Sequence, residues 1–312
     1  NLAGGMPALT IINEVTVAGA PGRLEGTIEV FGAPAGVIVA NPNGMTCAGC
    51  GVINTPRLTL TTGRPFATGS TGEASRFDTA AGLAYDIRRG HIRIEGAGIE
   101  GTVGRIDLLA DSLDIHGPLR AHYLNGDLSS INLTTGQGLV AEAPDGAWAN
   151  RQPASGVPTA VGYAIDASLL GAMTAGQIRI VATAAGMGVN LRAPLVAHQR
   201  DIQIDAAGNL ALARLAAVED IRLDADGNLS VARDFLAGGK IDAQAGGSMD
   251  LGGPISSGGD MRLTSGVAMN VAGDLQSGGD FVARSVGDMR LGGAAARIAV
   301  AGGRLRTLVN GL

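Results

Sequence analysis

Cys47 and Cys50 stand three residues apart and are the only cysteines in the 312-residue chain. A Cys-x-x-Cys pair can shuttle electrons, supply half of a zinc site, or close a local disulfide. A structural zinc site needs four ligands, and here the nearest histidine is His91 with no second cysteine pair. A thioredoxin-type redox pair belongs at a helix N-terminus in a βαβ setting, whereas extended segments flank this one. A structural disulfide is the favoured reading, with free thiols the remaining alternative. The four histidines, His91, His116, His122 and His198, show no metal-ligand spacing and read as surface residues. No metal or other cofactor is expected. The chain has no Gly-x-Ser-x-Gly elbow and no phosphate loop with Lys and Ser/Thr. Asp201, Asp220, Asp260 and Asp280 recur at regular steps and would form a column. Such a column could bind cations or act as paired carboxylates in a polysaccharide-active β-helix. The simpler reading is that Asp marks corners and caps turns.

The elements that must position these residues are short and repetitive. Asp201-Ile202-Gln203-Ile204, Asp220-Ile221-Arg222-Leu223, Lys240-Ile241-Asp242-Ala243, Asp260-Met261-Arg262-Leu263 and Asp280-Phe281-Val282-Ala283 begin successive units of about 20 residues. A second register agrees, in Gly208-Asn209-Leu210, Gly227-Asn228-Leu229, Gly247-Ser248-Met249 and Gly287-Asp288-Met289. Within units, apolar and polar residues alternate with the period of a half-buried strand, and no sustained 3.6-residue period appears. A unit this small cannot bury its own apolar face, but stacked units can. The expected fold is therefore all-β: a right-handed parallel β-helix, since parallel crossovers are right-handed. Ile202, Ile221, Ile241, Met261 and Phe281 should ladder on one inner face. Two stretches interrupt the pattern and predict extra-helical loops or hairpins, one near 64–84 and a Pro-rich one near 142–158 that holds the only tryptophan, Trp148.

Composition agrees with narrow stacked strands: 50 glycines, 46% hydrophobic residues and only 3% aromatic. A net charge of −5, without a basic stripe interleaved with aromatics, argues against nucleic acid as partner. No apolar run is long enough for a transmembrane helix, so stable membrane insertion is not expected. The aromatic poverty also weighs against a polysaccharide lyase or hydrolase, which needs rings for sugar stacking; that enzyme, or a free-standing receptor-binding adhesin, is the alternative function.

One string is specific. Asn41-Pro42-Asn43-Gly44 is turn chemistry after the apolar strand Val37–Ala40; a short Cys-bracketed loop and Asn54-Thr55-Pro56-Arg57, then Leu58-Thr59-Leu60-Thr61-Thr62-Gly63, follow. With Ile11-Ile12-Asn13-Glu14-Val15 before it, and Ala164-Ile165-Asp166, Leu170-Gly171-Ala172-Met173 and Ala175-Gly176-Gln177-Ile178 after it, this string resembles the secretion domain of two-partner-secreted exoproteins. That family includes the filamentous haemagglutinins, haemolysins and contact-dependent growth inhibition proteins of Gram-negative bacteria. The resemblance covers residues 1–195, with haemagglutinin-type repeats over 196–312 continuing the β-helix. The family's segment ahead of the Asn-Glu-Val block is largely missing, so Asn1 reads as an internal start. The resemblance implies a non-enzymatic, secretion-targeting module of a large adhesin or toxin carrier, exported through the periplasm to the cell surface. It implies recognition by the POTRA domains of an outer-membrane transporter, with Asn13, Glu14, Val15, Asn41, Pro42, Asn43 and Gly44 as the secretion motif. A host or neighbouring-cell receptor would be a further partner.

Overall fold

The computed structural model describes residues 7–67, 82–122, 127–142, 148–153, 162–292, 297–301 and 303–309. The chain is a parallel β-solenoid. Its longest face is a twelve-stranded parallel sheet to which each coil contributes one strand, from Thr10–Glu14 through Gly36–Ala40, Arg57–Thr61, Arg105–Ala110, Ser130–Thr135 and Gln177–Ala182 to Leu305–Val309. The other walls are built from strands that run unbroken through a bulge, such as Met45–Ile53, His91–Gly101 and Leu210–Ala217. Elsewhere each is cut into two short pieces, such as Leu229–Val231 and Phe235–Ala237. Pairing runs without a break from the first coil into the 20-residue repeats.

The interior is a stack of aligned side chains. One row runs Ile11, Val37, Leu58, Ile106, Ile131, Ile178, Ile202, Ile221, Ile241, Met261, Phe281, each facing the next across the parallel ladder. The five expected ladder residues are therefore in register, and all five are buried. Burying one such side chain is worth about 1.5–3 kcal/mol, and the stack lets a 20-residue unit bury on its neighbours what it cannot bury alone.

Corners are stabilised by side chains that reach along the axis. The Lys240 amide donates to Asp220 Oδ1 at 2.6 Å, the Asp280 amide to Asp260 Oδ1 at 3.0 Å and the Arg304 amide to Asp280 Oδ1 at 2.8 Å. Asn209 and Asn228 do the same for the Asn228 and Ser248 amides. Asp220, Asp260 and Asp280 thus cap backbone, but that of the following coil rather than of their own turn, while Asp201 accepts from Gln177 Nε2 of the preceding coil at 3.5 Å. The parallel stack brings the next corner's N–H within reach.

The two predicted excursions meet each other. Arg64–Ala67, Leu83–Ile87, Gly138–Glu142 and Trp148–Pro153 form one antiparallel four-stranded sheet lying on the outside of the long face. Residues 68–81, 143–147 and 154–158 of those excursions lie outside the described residues. Val140, Tyr85, Ile87 and Trp148 pack onto the outward side chains of Ile38 and Leu109, forming a second core outside the solenoid.

Candidate functional site

The parallel pairing brings the first two sequence blocks together. Glu14 lies beside Ala40, and the Val15 amide donates to the Ala40 carbonyl at 2.9 Å. Asn13, Glu14 and Val15 therefore end where Asn41 begins. Among the described residues the strand Thr10–Glu14 is the first of the long sheet, and Asn13 is exposed on it.

Asn41-Pro42-Asn43-Gly44 is a closed β-turn, with the Gly44 amide donating to the Asn41 carbonyl at 3.0 Å. Asn41 is buried and its Oδ1 accepts from the Asn43 amide at 3.0 Å, which is an Asx turn, and from Asn43 Nδ2 at 3.1 Å. Asn43 reaches outward to the preceding coil. Its Nδ2 donates to the Val17 carbonyl at 2.9 Å and its Oδ1 accepts from the Gly19 amide at 3.1 Å. Gly44 has φ +94°, and a Cβ there would stand 2.8 Å from the His91 carbonyl oxygen in the following coil. The turn thus fastens backward through Asn43 and packs forward against His91: a four-residue joint between three coils.

Cys47 and Cys50 are joined as a disulfide, with Cα atoms 5.6 Å apart, and both are buried. The expected Cys-bracketed loop is instead a single strand, Met45–Ile53, with a β-bulge between Ala48 and Cys50. Side chains alternate along a strand, so residues three apart face opposite ways. The extra residue of the bulge, with Gly49 at φ +74°, turns Cys50 back inward. Leu24 and Ile94 flank Cys47, and Ile99 sits beside Cys50 in the next coil.

The histidines stay apart. His116 is half-buried, and His122 and His198 are exposed. His91 Nδ1 lies 3.0 Å from Ser112 Oγ and its Nε2 3.1 Å from Asp114 Oδ2. These residue types can form a nucleophilic triad. Here they stand on two neighbouring, parallel-paired strands, with Ser112 beside His91 and Asp114 beside Arg93. Among the described residues no group of His, Cys, Asp and Glu could hold a metal ion, and no helix is long and apolar enough to cross a membrane.

One cluster escaped the sequence reading. Arg57 and Arg105 are stacked neighbours on the outer side of the long face. Asp107, fully buried, accepts from Arg57 Nε at 2.8 Å, from Arg105 Nε at 2.8 Å and from Asn132 Nδ2 at 2.8 Å. Glu142 of the outer sheet engages both arginines from above. The Trp148 ring lies over both guanidinium groups, 5.3 Å and 5.7 Å from their carbons, and meets Tyr85 edge-on at 5.3 Å. Burial alone pushes the Asp107 carboxyl up, but the Arg57 and Arg105 charges outweigh it and hold the group below the usual carboxylate range. Burial pulls Arg57 down, and the Asp107 and Glu142 charges more than reverse this. Burial raises the Tyr85 hydroxyl. The signal was present in Arg57, within the quoted string, and in the lone Trp148, but their partners lie 50 or more residues away.

A stacked parallel coil with a rigid asparagine joint at its start and an antiparallel sheet fastened to its flank defines a structural, chain-organising module. Residues 6–212 match the family described as the TPS secretion domain, and the chain belongs to that family. A secretion domain of this kind is not itself catalytic. The chain is 39% identical over 218 residues to the 16S rRNA endonuclease CdiA of Enterobacter cloacae, a match covering 70% of this chain and 6% of that protein. It is 40% identical over 214 residues to a tRNA nuclease CdiA of Escherichia coli, covering 68% and 6%. With the filamentous hemagglutinin of Bordetella pertussis it shares 32% identity over 206 residues, covering 66% and 5%. The aligned stretch is thus a small fraction of each of these relatives. The crystal structure of a filamentous hemagglutinin secretion domain matches the fold with a TM-score of 0.51 at 24% identity, over 96% of this chain and 75% of that one.

Proposed function

We propose that residues 1–195 are a secretion-targeting module recognised in the periplasm by the POTRA domains of a partner outer-membrane transporter. In this reading residues 196–312 are the first repeats that it templates at the cell surface. The observation that carries the proposal is the joint at Asn41–Gly44. Residues of the two motif blocks, far apart in the chain, converge on one corner that must form before the following coil can stack. Asn13, Glu14 and Val15, with Asn41, Pro42, Asn43 and Gly44 beside them, form the surface that the transporter reads. In the unfolded transit form, strand addition to a partner's sheet would supply affinity through main-chain bonds. The parent protein would be an adhesin or a toxin carrier with a receptor on a host or neighbouring cell. The nuclease activities named for the CdiA relatives would then belong to regions far beyond the aligned segment.

The test is export. Asn41→Ala and Asn43→Ala chains, each expressed with the partner transporter, should accumulate in the periplasm while synthesis stays level. Wild-type amounts of both in the culture supernatant would reduce the motif to a tolerant surface turn.

A further inference from the structure

The outer sheet is an unusual attachment. Its four strands come from two chain segments, 64–87 and 138–153, and its floor comes from several coils. Ile38 lies on the second strand of the long face, Arg57 and Thr59 on the third, Arg105, Asp107 and Leu109 on the fourth, and Asn132 on the fifth. No single coil supplies the site into which Trp148 and Glu142 fit.

The electrostatics sharpen this. Stacking places Arg57 directly beside Arg105, a like-charge pair that opposes stacking. Asp107 offsets one of the two positive charges. Glu142, arriving with the outer sheet, offsets the other and bonds to both. The sheet therefore brings a second carboxylate onto the stacked Arg57 and Arg105 and covers Ile38 and Leu109. The sheet without stacked coils has no floor on which to bury Trp148 and Val140.

We propose that the four-stranded sheet is a clasp that closes only on correctly stacked coils, with Arg57, Arg105 and Asp107 as its catch and Glu142 and Trp148 as its tongue. Its closure turns the first five strands of the long face from a reversible stack into a kinetically committed one. The clasp cannot be completed until residue 153 is available, by which point those strands are all present. The arrangement acts as a checkpoint: a coil out of register misplaces Asp107 or one arginine and leaves the clasp open. The value of such a lock during export rests on the secretion reading, but the lock itself is a property of the isolated chain.

Trp148, the only tryptophan, reports closure directly. The purified 312-residue chain is refolded by dilution from denaturant. Backbone formation is followed by far-ultraviolet circular dichroism, and closure by Trp148 fluorescence and its protection from acrylamide. The expected order is β-structure first and Trp148 burial in a later phase. In Glu142→Gln, which keeps shape but removes the charge, the β-phase should stay within twofold of wild type. On transfer to denaturant, Trp148 release should be about tenfold faster, the scale expected from losing a charge-assisted bond to a part-buried cation. Trp148 burial that precedes or coincides with the β-phase in the unmodified chain would overturn the proposal, because the sheet would then be part of the nucleus. So would an unchanged release rate in Glu142→Gln. The order of phases in the unmodified chain decides even if the variant folds poorly. Neither measurement involves the transporter, so defective export with normal closure, or the reverse, separates this inference from the proposed secretion role.

Discussion

Replacing Gly44 by alanine isolates the joint between the first coils. Two costs follow from its geometry. At φ +94° the backbone is in the region that L side chains rarely adopt, which costs about 1–3 kcal/mol for a non-glycine residue. The new Cβ would also stand 2.8 Å from the carbonyl oxygen of His91, a backbone atom of the following coil. Relief requires one coil to move against the other. The movement strains the bonds that hold the turn, Gly44 N–H to the Asn41 carbonyl and Gly22 N–H to the Gly44 carbonyl, both 3.0 Å. Losing one such bond costs about 0.5–1.5 kcal/mol net. The expected destabilisation of Gly44→Ala is about 2–4 kcal/mol, measured by guanidinium unfolding with circular dichroism and Trp148 fluorescence as separate probes. Gly19→Ala is the matched control. Its Cβ would have nothing within 4 Å and its φ lies outside the left-handed region, so it should change stability by less than about 0.5 kcal/mol. Equal midpoints for Gly44→Ala and Gly19→Ala would refute the argument that this turn is a steric joint.

Three further outcomes are expected. Asp107→Ala removes the buried carboxylate that both Arg57 and Arg105 engage, and should cost about 3–5 kcal/mol as removal of one partner from a buried pair does, read as a lowered midpoint of the Trp148 transition. Because the folded-state Asp107 carboxyl lies below its ordinary value, its contribution is fully present above the unfolded carboxylate range near pH 4. It is lost as pH falls through the lower folded value, so a fluorescence titration should find Trp148 buried at pH 5 and released only at stronger acidity. Cys47→Ser with Cys50→Ser should keep the β-rich circular dichroism spectrum. The bridge closes a loop of three peptide steps, so chain-entropy gain is small, and stacked coils hold the strand on both sides; collapse of the spectrum would contradict this.

The solenoid was legible because its information is repeated. Ile202, Ile221, Ile241, Met261 and Phe281 occupy equivalent positions in successive units, so periodicity alone specifies both coil length and inner face. The asparagine turn was legible because Asn, Pro and Gly act on their own backbone. The clasp was not. Arg57 and Asp107 are 50 residues apart, and Glu142 is 85 from Arg57. Each occurs once, so no periodicity marks them, and the two excursions gave no local sign that they pair with each other. The bulge at Gly49 left a faint trace. A buried pair at odd spacing within a strand requires an extra residue between its members.

The corner side chains give the molecule a direction. In six such bonds between Asn209 and Arg304 the acceptor belongs to the earlier coil and the donor to the later one: Asn209 to Asn228, Asn228 to Ser248, Asp220 to Lys240, Asp260 to Asp280, Asp274 to Arg297, Asp280 to Arg304. A partly wound chain therefore presents waiting carboxylates and amides at its advancing end, already fixed in place when the next segment arrives. Winding resembles the elongation of a polar filament, in which subunits join one tip more readily than the other. For a chain that emerges amino-terminus first, each new stretch meets the receptive tip, and winding can rectify random motion into outward travel.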